Sequence, residues 1–234
     1  MFKFARSSSS RQAVAGLSLF GALLCHSAWA LPPAEPAPPA AAAAAPGAVV
    51  LNQAPAAQGS VDRLLINPYG EVDGLLMRDR TVVKLAPHLS AAVVAAVAPG
   101  QVVRVFGLVE PGRSVKADAL LNLATGQVVI DRPPGIDSAA PLPPHLRAAQ
   151  LRQLDVEGRV DLVLTGPRGE VNGVILDNGG IVRFAPDGLR SPLQQGMPFA
   201  ATGLGTRNAY GTAIEAISTG ASLGTQQQIQ EPLR

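Results

Sequence analysis

The sequence predicts a mostly β protein in which one small unit of strands and a helix is written twice. Three observations carry this expectation. The segment GSVDRLLINPYGEVDGLLMRDRTVVKLAP, Gly59 to Pro87, returns without a gap as GRVDLVLTGPRGEVNGVILDNGGIVRFAP, Gly158 to Pro186, and self-similarity of that kind marks two copies of one folding unit. Within each copy, short runs of branched residues bounded by Gly, Pro, Asn and Asp read as strands and turns. After Ala86-Pro87 the apolar spacing changes from a strand period to a helical one, and further strands follow.

Taken in order, Lys3, Arg6 and Arg11 precede the apolar run Ala13 to Leu24, and Ala28-Trp29-Ala30 offers small residues where a signal peptidase reads. Residues 1–30 are therefore expected to be a secretory signal peptide cleaved after Ala30. The run is shorter than the roughly 20 apolar residues of a membrane-spanning helix. Leu24 stands where a lipobox has Gly, Ala or Ser, so lipidation at Cys25 is not expected, and Arg11-Gln12 is no twin-arginine pair. The full chain has 19 Lys plus Arg against 17 Asp plus Glu; without Lys3, Arg6 and Arg11 the mature balance is 16 against 17. The basic character thus belongs largely to the leader and argues for neither nucleic acid nor an anionic membrane as partner. Cys25, the only cysteine, leaves with the leader, so an oxidising compartment is permitted but not exploited.

Residues 31–57 are rich in Ala and Pro with a single charge at Glu35. Such a segment cannot bury enough surface to offset its ordering entropy and is expected to be an extended, disordered tether. The first unit, residues 58–131, opens with a strand at Val61 to Ile66, a turn at Asn67-Pro68-Tyr69-Gly70, and a strand in which Glu71-Val72-Asp73-Gly74-Leu75-Leu76-Met77 starts to alternate. Asp79-Arg80 makes the next hairpin; its counterpart Asn178-Gly179 is the stronger turn signal because Gly accepts positive φ. Val82 to Leu85 is a third strand. Leu89, Val93, Val94 and Val97 then fall on one face of a short helix stopped by Pro99-Gly100. Val102 to Leu108 and Ser114 to Leu123 are strands four and five, with Gln127 to Ile130 extending the sheet.

Residues 132–149 form a Pro-rich linker leading into a short helix, with Pro144 placed as a first helical residue. The second unit, residues 150–225, repeats the order with strands at Arg159 to Thr165, Glu170 to Asp177, Ile181 to Phe184, Pro198 to Gly203 and Thr212 to Ile217. Gly188 and Pro192 should make its helix shorter or irregular. Gly203 to Gly211 is expected to be a flexible loop, since it lacks GxGxxG spacing and a Lys-Ser/Thr pair and lies between strands. Residues 226–234 are expected to be a frayed tail. Because each unit has its own apolar set, the two should be separable, although about seventy residues make a marginal core.

The order of three strands, a helix and two strands, with the pattern GxVxxL…GxVxG…VxxxP…PGxxVxVxG, resembles small exported bacterial OB-fold-like proteins. The resemblance covers both units and not the leader or tether. It implies two tandem OB-like five-stranded Greek-key barrels, each with a short helix between strands 3 and 4, and ligand contact through hairpin loops and the strand two and three face. The Gly and Val positions that carry it specify turns and a core, not a reaction.

Little in the mature chain suits catalysis. No Cys remains, and a Ser or Thr nucleophile needs a base within reach, for which only His88 and His145 are left, each at an expected helix start. No HxH, HxxxH or CxxC occurs, so neither a metal nor a cofactor is expected. Carboxylates are the better candidates. If Val72, Gly74 and Leu76 point inward, Glu71 and Asp73 share the outer face of strand two, with Glu170 as the counterpart of Glu71. The plainer reading gives them cross-strand partners such as Lys84 or Arg183. Arg104 and Phe106, on one face of strand four, are the plausible stacking pair for a base. The expected ligand-contacting residues are thus Glu71, Asp73, Lys84, Arg104, Phe106, Glu170 and Arg183.

These features favour a periplasmic or secreted, non-catalytic binding or scaffolding protein of the bacterial cell envelope, with an envelope protein or a small ligand as partner. An OB-fold binder of oligonucleotide or oligosaccharide is the alternative, and a carboxylate-dependent hydrolase comes last. Nucleic acid is not expected as a partner, because each unit balances its charges and offers few aromatic platforms.

Overall fold

The computed structural model describes residues 53–132, 144–186, 188–189 and 192–229. The leader, the tether up to residue 52 and the Pro-rich stretch 133–143 lie outside them. The chain is mostly β. In the first unit β1 (Ala57–Ile66), β2 (Val72–Met77) and β3 (Val82–Lys84) precede a 3-10 turn (Pro87–Leu89) and α1 (Ser90–Ala96); β4 (Val102–Glu110), β5 (Ser114–Asn122) and β6 (Val128–Ile130) follow. The sheet order is β3-β2-β1-β4-β5-β6, and β5 returns to pair with β3 in parallel, Val83 opposite Val115, so that five strands close into a barrel.

β1 makes closure possible by serving two neighbours. Ala57–Ser60 pairs with β4, and Val61–Ile66 pairs with β2. The strand begins four residues before the sequence signal at Val61. Two irregularities bend the β1/β2 ladder. Between the pairs Val61/Met77 and Arg63/Leu76 the extra residue is Asp62; between Leu65/Gly74 and Ile66/Val72 it is Asp73. Such bulges add twist and re-aim the side chain they carry. Gly74 sits at the second, where a Cβ would stand 2.7 Å from the Val83 carbonyl oxygen. α1 then caps one end of the barrel with Leu89, Val93, Ala96 and Val97 buried; Val94, expected on that face, is 36% exposed, and Ala96 takes its place.

The second unit repeats this. After α2 (Pro144–Ala148) come β7 (Arg152–Thr165), β8 (Val171–Leu176), β9 (Ile181–Arg183), β10 (Pro198–Asn208), β11 (Gly211–Gly220), a 3-10 turn (Leu223–Thr225) and β12 (Gln227–Gln228). Strands β7 to β11 close as the first five do, with β11 parallel to β9. Both bulges recur, at Asp161 and Asn172.

Four expectations need correction here. The described residues between β9 and β10 form no helix: Gly188 and Pro192 are poor helix formers, and Leu189 and Leu193 instead pack irregularly on the core around Phe184 and Phe199. The segment Gly203 to Gly211 is not a loop but most of a β hairpin, continuous with β10 and β11. Its glycines serve close approach, since a Cβ on Gly203 would stand 2.0 Å from the Glu215 carbonyl oxygen. β7 starts at Arg152 rather than Arg159, as the alternation of Leu154, Val156 and Val160 allowed. The tail is paired as far as Gln228, and Ile229 packs on the core.

The barrels are not separate in their packing. One continuous buried cluster holds the core of the first barrel together with Leu164, Ile175, Ile181 and Ala213 of the second. These four lie on the outside of the second barrel, whose own interior is a distinct cluster containing Val160, Val174, Leu176 and Val182. Thermal unfolding followed by circular dichroism should therefore give one cooperative transition; two resolved transitions would show that the shared face does not couple the units.

Candidate functional site

The junction between the barrels gathers three of the charged residues singled out in the sequence, Asp73, Lys84 and Arg183. It is built from the strand two and three faces of both units, and its contacts come in reciprocal pairs, as in an isologous dimer interface. The β1–β2 turn meets the β10–β11 hairpin, where Asn208 Nδ2 donates to the Gly70 carbonyl at 2.9 Å. The β7–β8 turn meets the β4–β5 hairpin: Gly169 lies against Pro111, and nearby, at the end of β7, Thr165 Oγ1 donates to the Pro111 carbonyl at 3.0 Å. A sequence signal for this junction existed. Leu75-Leu76-Met77 and Val174-Ile175-Leu176 are unbroken apolar runs, as expected of strands buried on both faces, and all six residues are buried.

Asp73, aimed outward by its bulge, meets Arg183 of the other barrel, Nη2 donating to Oδ2 at 3.3 Å. Burial pushes the Asp73 carboxyl above the usual carboxylate range, and the Arg183 charge opposes that shift. Arg183 opposes the same effect at Glu215, whose carboxyl burial also pushes up. Lys84 donates to Glu110 Oε2 at 2.7 Å within its own barrel and to the Thr165 carbonyl across the junction. Arg80 is held by Asp161 through both carboxylate oxygens, at 2.9 and 2.8 Å, and through its carbonyl. That bond raises the Arg80 pKa above its ordinary value. Arg80 adopts φ 74°, an unusual conformation for a side chain of its size, while its counterpart Gly179 adopts φ 87° without strain. The strained turn places the guanidinium on Asp161.

Glu71 belongs to a different contact. Its Oε2 accepts from Asn67 Nδ2 at 2.8 Å and from Arg147 of α2, whose guanidinium also stacks 4.2 Å from the centre of the Tyr69 ring. Glu71 thus docks the linker helix on the first barrel. Glu170 stays within its own turn, accepting the Arg168 backbone N–H at 2.9 Å. The expectation of a shared outer-face carboxylate pair is therefore corrected: Glu71 and Asp73 take different partners because the bulge re-aims Asp73. His88 Nε2 lies 3.1 Å from Asp131 Oδ1, away from these groups. The Arg104–Phe106 stacking pair is also corrected. Phe106 is only 2% exposed, opposite Ala119, and Arg104 Nε donates to Gln58 at 2.9 Å, so the ring offers no platform.

Beside the paired charges the junction opens into a polar cleft of about 670 Å³. Arg63 forms one wall from the first barrel; Asp155, Glu157, Gly179, Arg207 and Tyr210 of the second barrel are among the others. Sequence reasoning missed this cleft, because it depends on departures from the repeat. Gly179 replaces the bulky counterpart Arg80, and Arg63 stands where the second copy has Leu162. Among the described residues no group of three or more His, Cys, Asp or Glu could hold a metal ion, and no helix is long and apolar enough to cross a membrane. No protein-family model, no curated protein and no solved structure matches the chain.

Proposed function

We propose that this chain is an exported, non-catalytic binding protein of the bacterial cell envelope, in which two OB-like barrels are joined face to face and ligand is taken at the cleft beside their junction. The observation that carries the reading is the pairing of the candidate chemical groups with one another. Asp73 with Arg183 and Arg80 with Asp161 join the two barrels, Lys84 pairs with Glu110 inside the first barrel and reaches the Thr165 carbonyl of the second, and groups committed in this way to a packed junction are not free to exchange a proton with a substrate. Reading the barrels as OB-like is supported by their closure in the order one-two-three-five-four, with strand three parallel to strand five. In this arrangement the strand two and three face, which OB folds use for ligand, is taken up by the other barrel, and the cleft is the concave surface left beside it.

Export rests on the leader motif, so intact mass of the exported protein should begin at Leu31 without lipid; an acylated form beginning at Cys25 would overturn soluble export. Binding is tested by a thermal-shift screen of sugars, short peptides, nucleotides and metals, with substrate turnover followed in parallel. Stabilisation without turnover is the expected result. Hydrolysis of any hit by the wild-type chain, lost on Asp73→Asn, would favour the carboxylate hydrolase.

A further inference from the structure

We infer that Arg63 and Arg207 receive the carboxylate of a small ligand whose other end carries hydrogen-bond donors, hydroxyls or an ammonium, facing Asp155 and Glu157. The inference rests on the reading that the cleft is the binding surface, and names what it binds.

Arg63 stands apart from the other junction cations. Among the described residues Arg80, Lys84 and Arg183 each meet a carboxylate, while the Arg63 guanidinium has no ion pair or side-chain hydrogen bond, and its Nε is buried without a partner. Burial lowers its pKa; Asp62 and Asp161 oppose this through space, and Arg80 adds to it. Asp161 is already committed to Arg80. A half-buried cation without a bonded partner is costly; the Nε is closed to solvent, so a carboxylate in the cleft would meet the two terminal nitrogens, which the planar fork presents side by side. The position is also made by the sequence, because a Cβ on residue 179 would stand 2.7 Å from Arg63 Nη1. Only a glycine in that turn lets the side chain lie where it does.

The remaining walls narrow the ligand. Arg207 is steadied by its Nε donating to Thr212 Oγ1 at 3.0 Å, and among the described residues its terminal nitrogens have no partner. The amide side chains nearby are used up in holding turns: Asn178 bonds the Glu157 carbonyl and the Gly180 N–H, and Asn208 bonds the Gly70 carbonyl and the Tyr210 N–H. Asp155 Oδ1 accepts from Thr202, and the Glu157 carboxylate makes no side-chain bond among the described residues. Asp155 and Glu157 come from β7, Arg63 from β1 of the other barrel and Arg207 from the β10–β11 hairpin, so the two signs enter the cleft from different elements. Two carboxylates facing two arginines disfavour a polyanion and favour a molecule with one acidic end. The volume, about 670 Å³, lies within the roughly 300–1,000 Å³ of small-molecule sites.

The test is calorimetric titration of the full chain with alanyl-alanine, glucuronate and inorganic phosphate, using wild type, Arg63→Met and Gly179→Asn. Methionine keeps the length of the stem without the charge. Asparagine tolerates the positive φ of the turn while displacing Arg63. Saturable binding of the dipeptide identifies an ammonium at the far end, and of glucuronate hydroxyls; either should weaken about tenfold to a hundredfold in both variants, the scale for one charge-assisted contact. Arg104→Met, at a residue of β4 that does not line the cleft, should leave it unchanged. Binding of phosphate alone, or of none of the three, overturns the inference, as does binding that Arg63→Met does not weaken. A ligand of other chemistry whose binding Gly179→Asn abolishes would overturn the carboxylate class while leaving the cleft as the binding surface; hits indifferent to both variants would remove the cleft itself.

Discussion

Arg183→Met should destabilise the protein by about 3 kcal/mol at neutral pH, the low end of the scale for removing one partner of a buried ion pair. Arg183 is the positive charge that offsets burial at both Asp73 and Glu215, and the Asp73 and Arg183 side chains keep only 18% and 23% of their exposure. The effect should depend on pH in a defined sense. Both carboxyls have pKa values raised by folding, so their contribution to stability is fully present below the ordinary carboxylate pKa of about 4 and is lost as pH rises through the raised values. Removing Arg183 raises them further. The deficit of the variant should thus be largest at neutral pH and shrink on acidification. Urea denaturation of both proteins across that range measures it. Adding Asp73→Asn, which copies Asn172 of the second barrel, should recover part of the loss. A deficit that does not change with pH would mean that Arg183 acts through the packing of its stem.

Gly173→Val should cost about 1–3 kcal/mol, the scale for extra bulk forced into a packed site, and lower the melting temperature by roughly 2–4 °C per kcal/mol. A Cβ at residue 173 would stand 2.6 Å from the Val182 carbonyl oxygen and 3.3 Å from Leu164 Cδ1. The first contact is backbone and cannot yield without breaking the β8–β9 pairing; the second is part of the face shared by the barrels. Valine therefore disturbs the local ladder and the junction together. Gly173→Ala separates these effects, since it adds the Cβ without the branch. An unchanged melting temperature for the valine variant would show that the ladder can open at this point at little cost.

Much of the fold was legible because repeat, alternation and turn chemistry are local. Gly74 and Gly173 marked a close approach before any neighbour was known, and both face a carbonyl oxygen of the next strand. Asn67 and Asn178 marked turns that their side chains close, Asn67 Oδ1 accepting the Tyr69 N–H and Asn178 Oδ1 the Gly180 N–H, at 2.9 and 3.0 Å. The errors came where a local rule met a distant surface. Phe106 alternates onto the expected face, yet its exposure depends on how β4 and β5 lie together. Gly203 and Gly205 read as loop residues because glycine weakens a strand in isolation, and their value lies in admitting the backbone of β11.

The candidate site divides along the same line. Residue types alone determined two copies of a five-stranded unit and which charges stood near strands two and three, because periodicity and turn preference act within a few residues of the chain. Only the tertiary structure decided that Asp73 answers to Arg183, that Arg80 crosses to Asp161, and that Arg63 is left without a bonded partner over Gly179. Each of these depends on how the outer faces of two barrels meet. An interface between distant segments is set by summed burial and charge complementarity, and those become defined only when the faces are in contact.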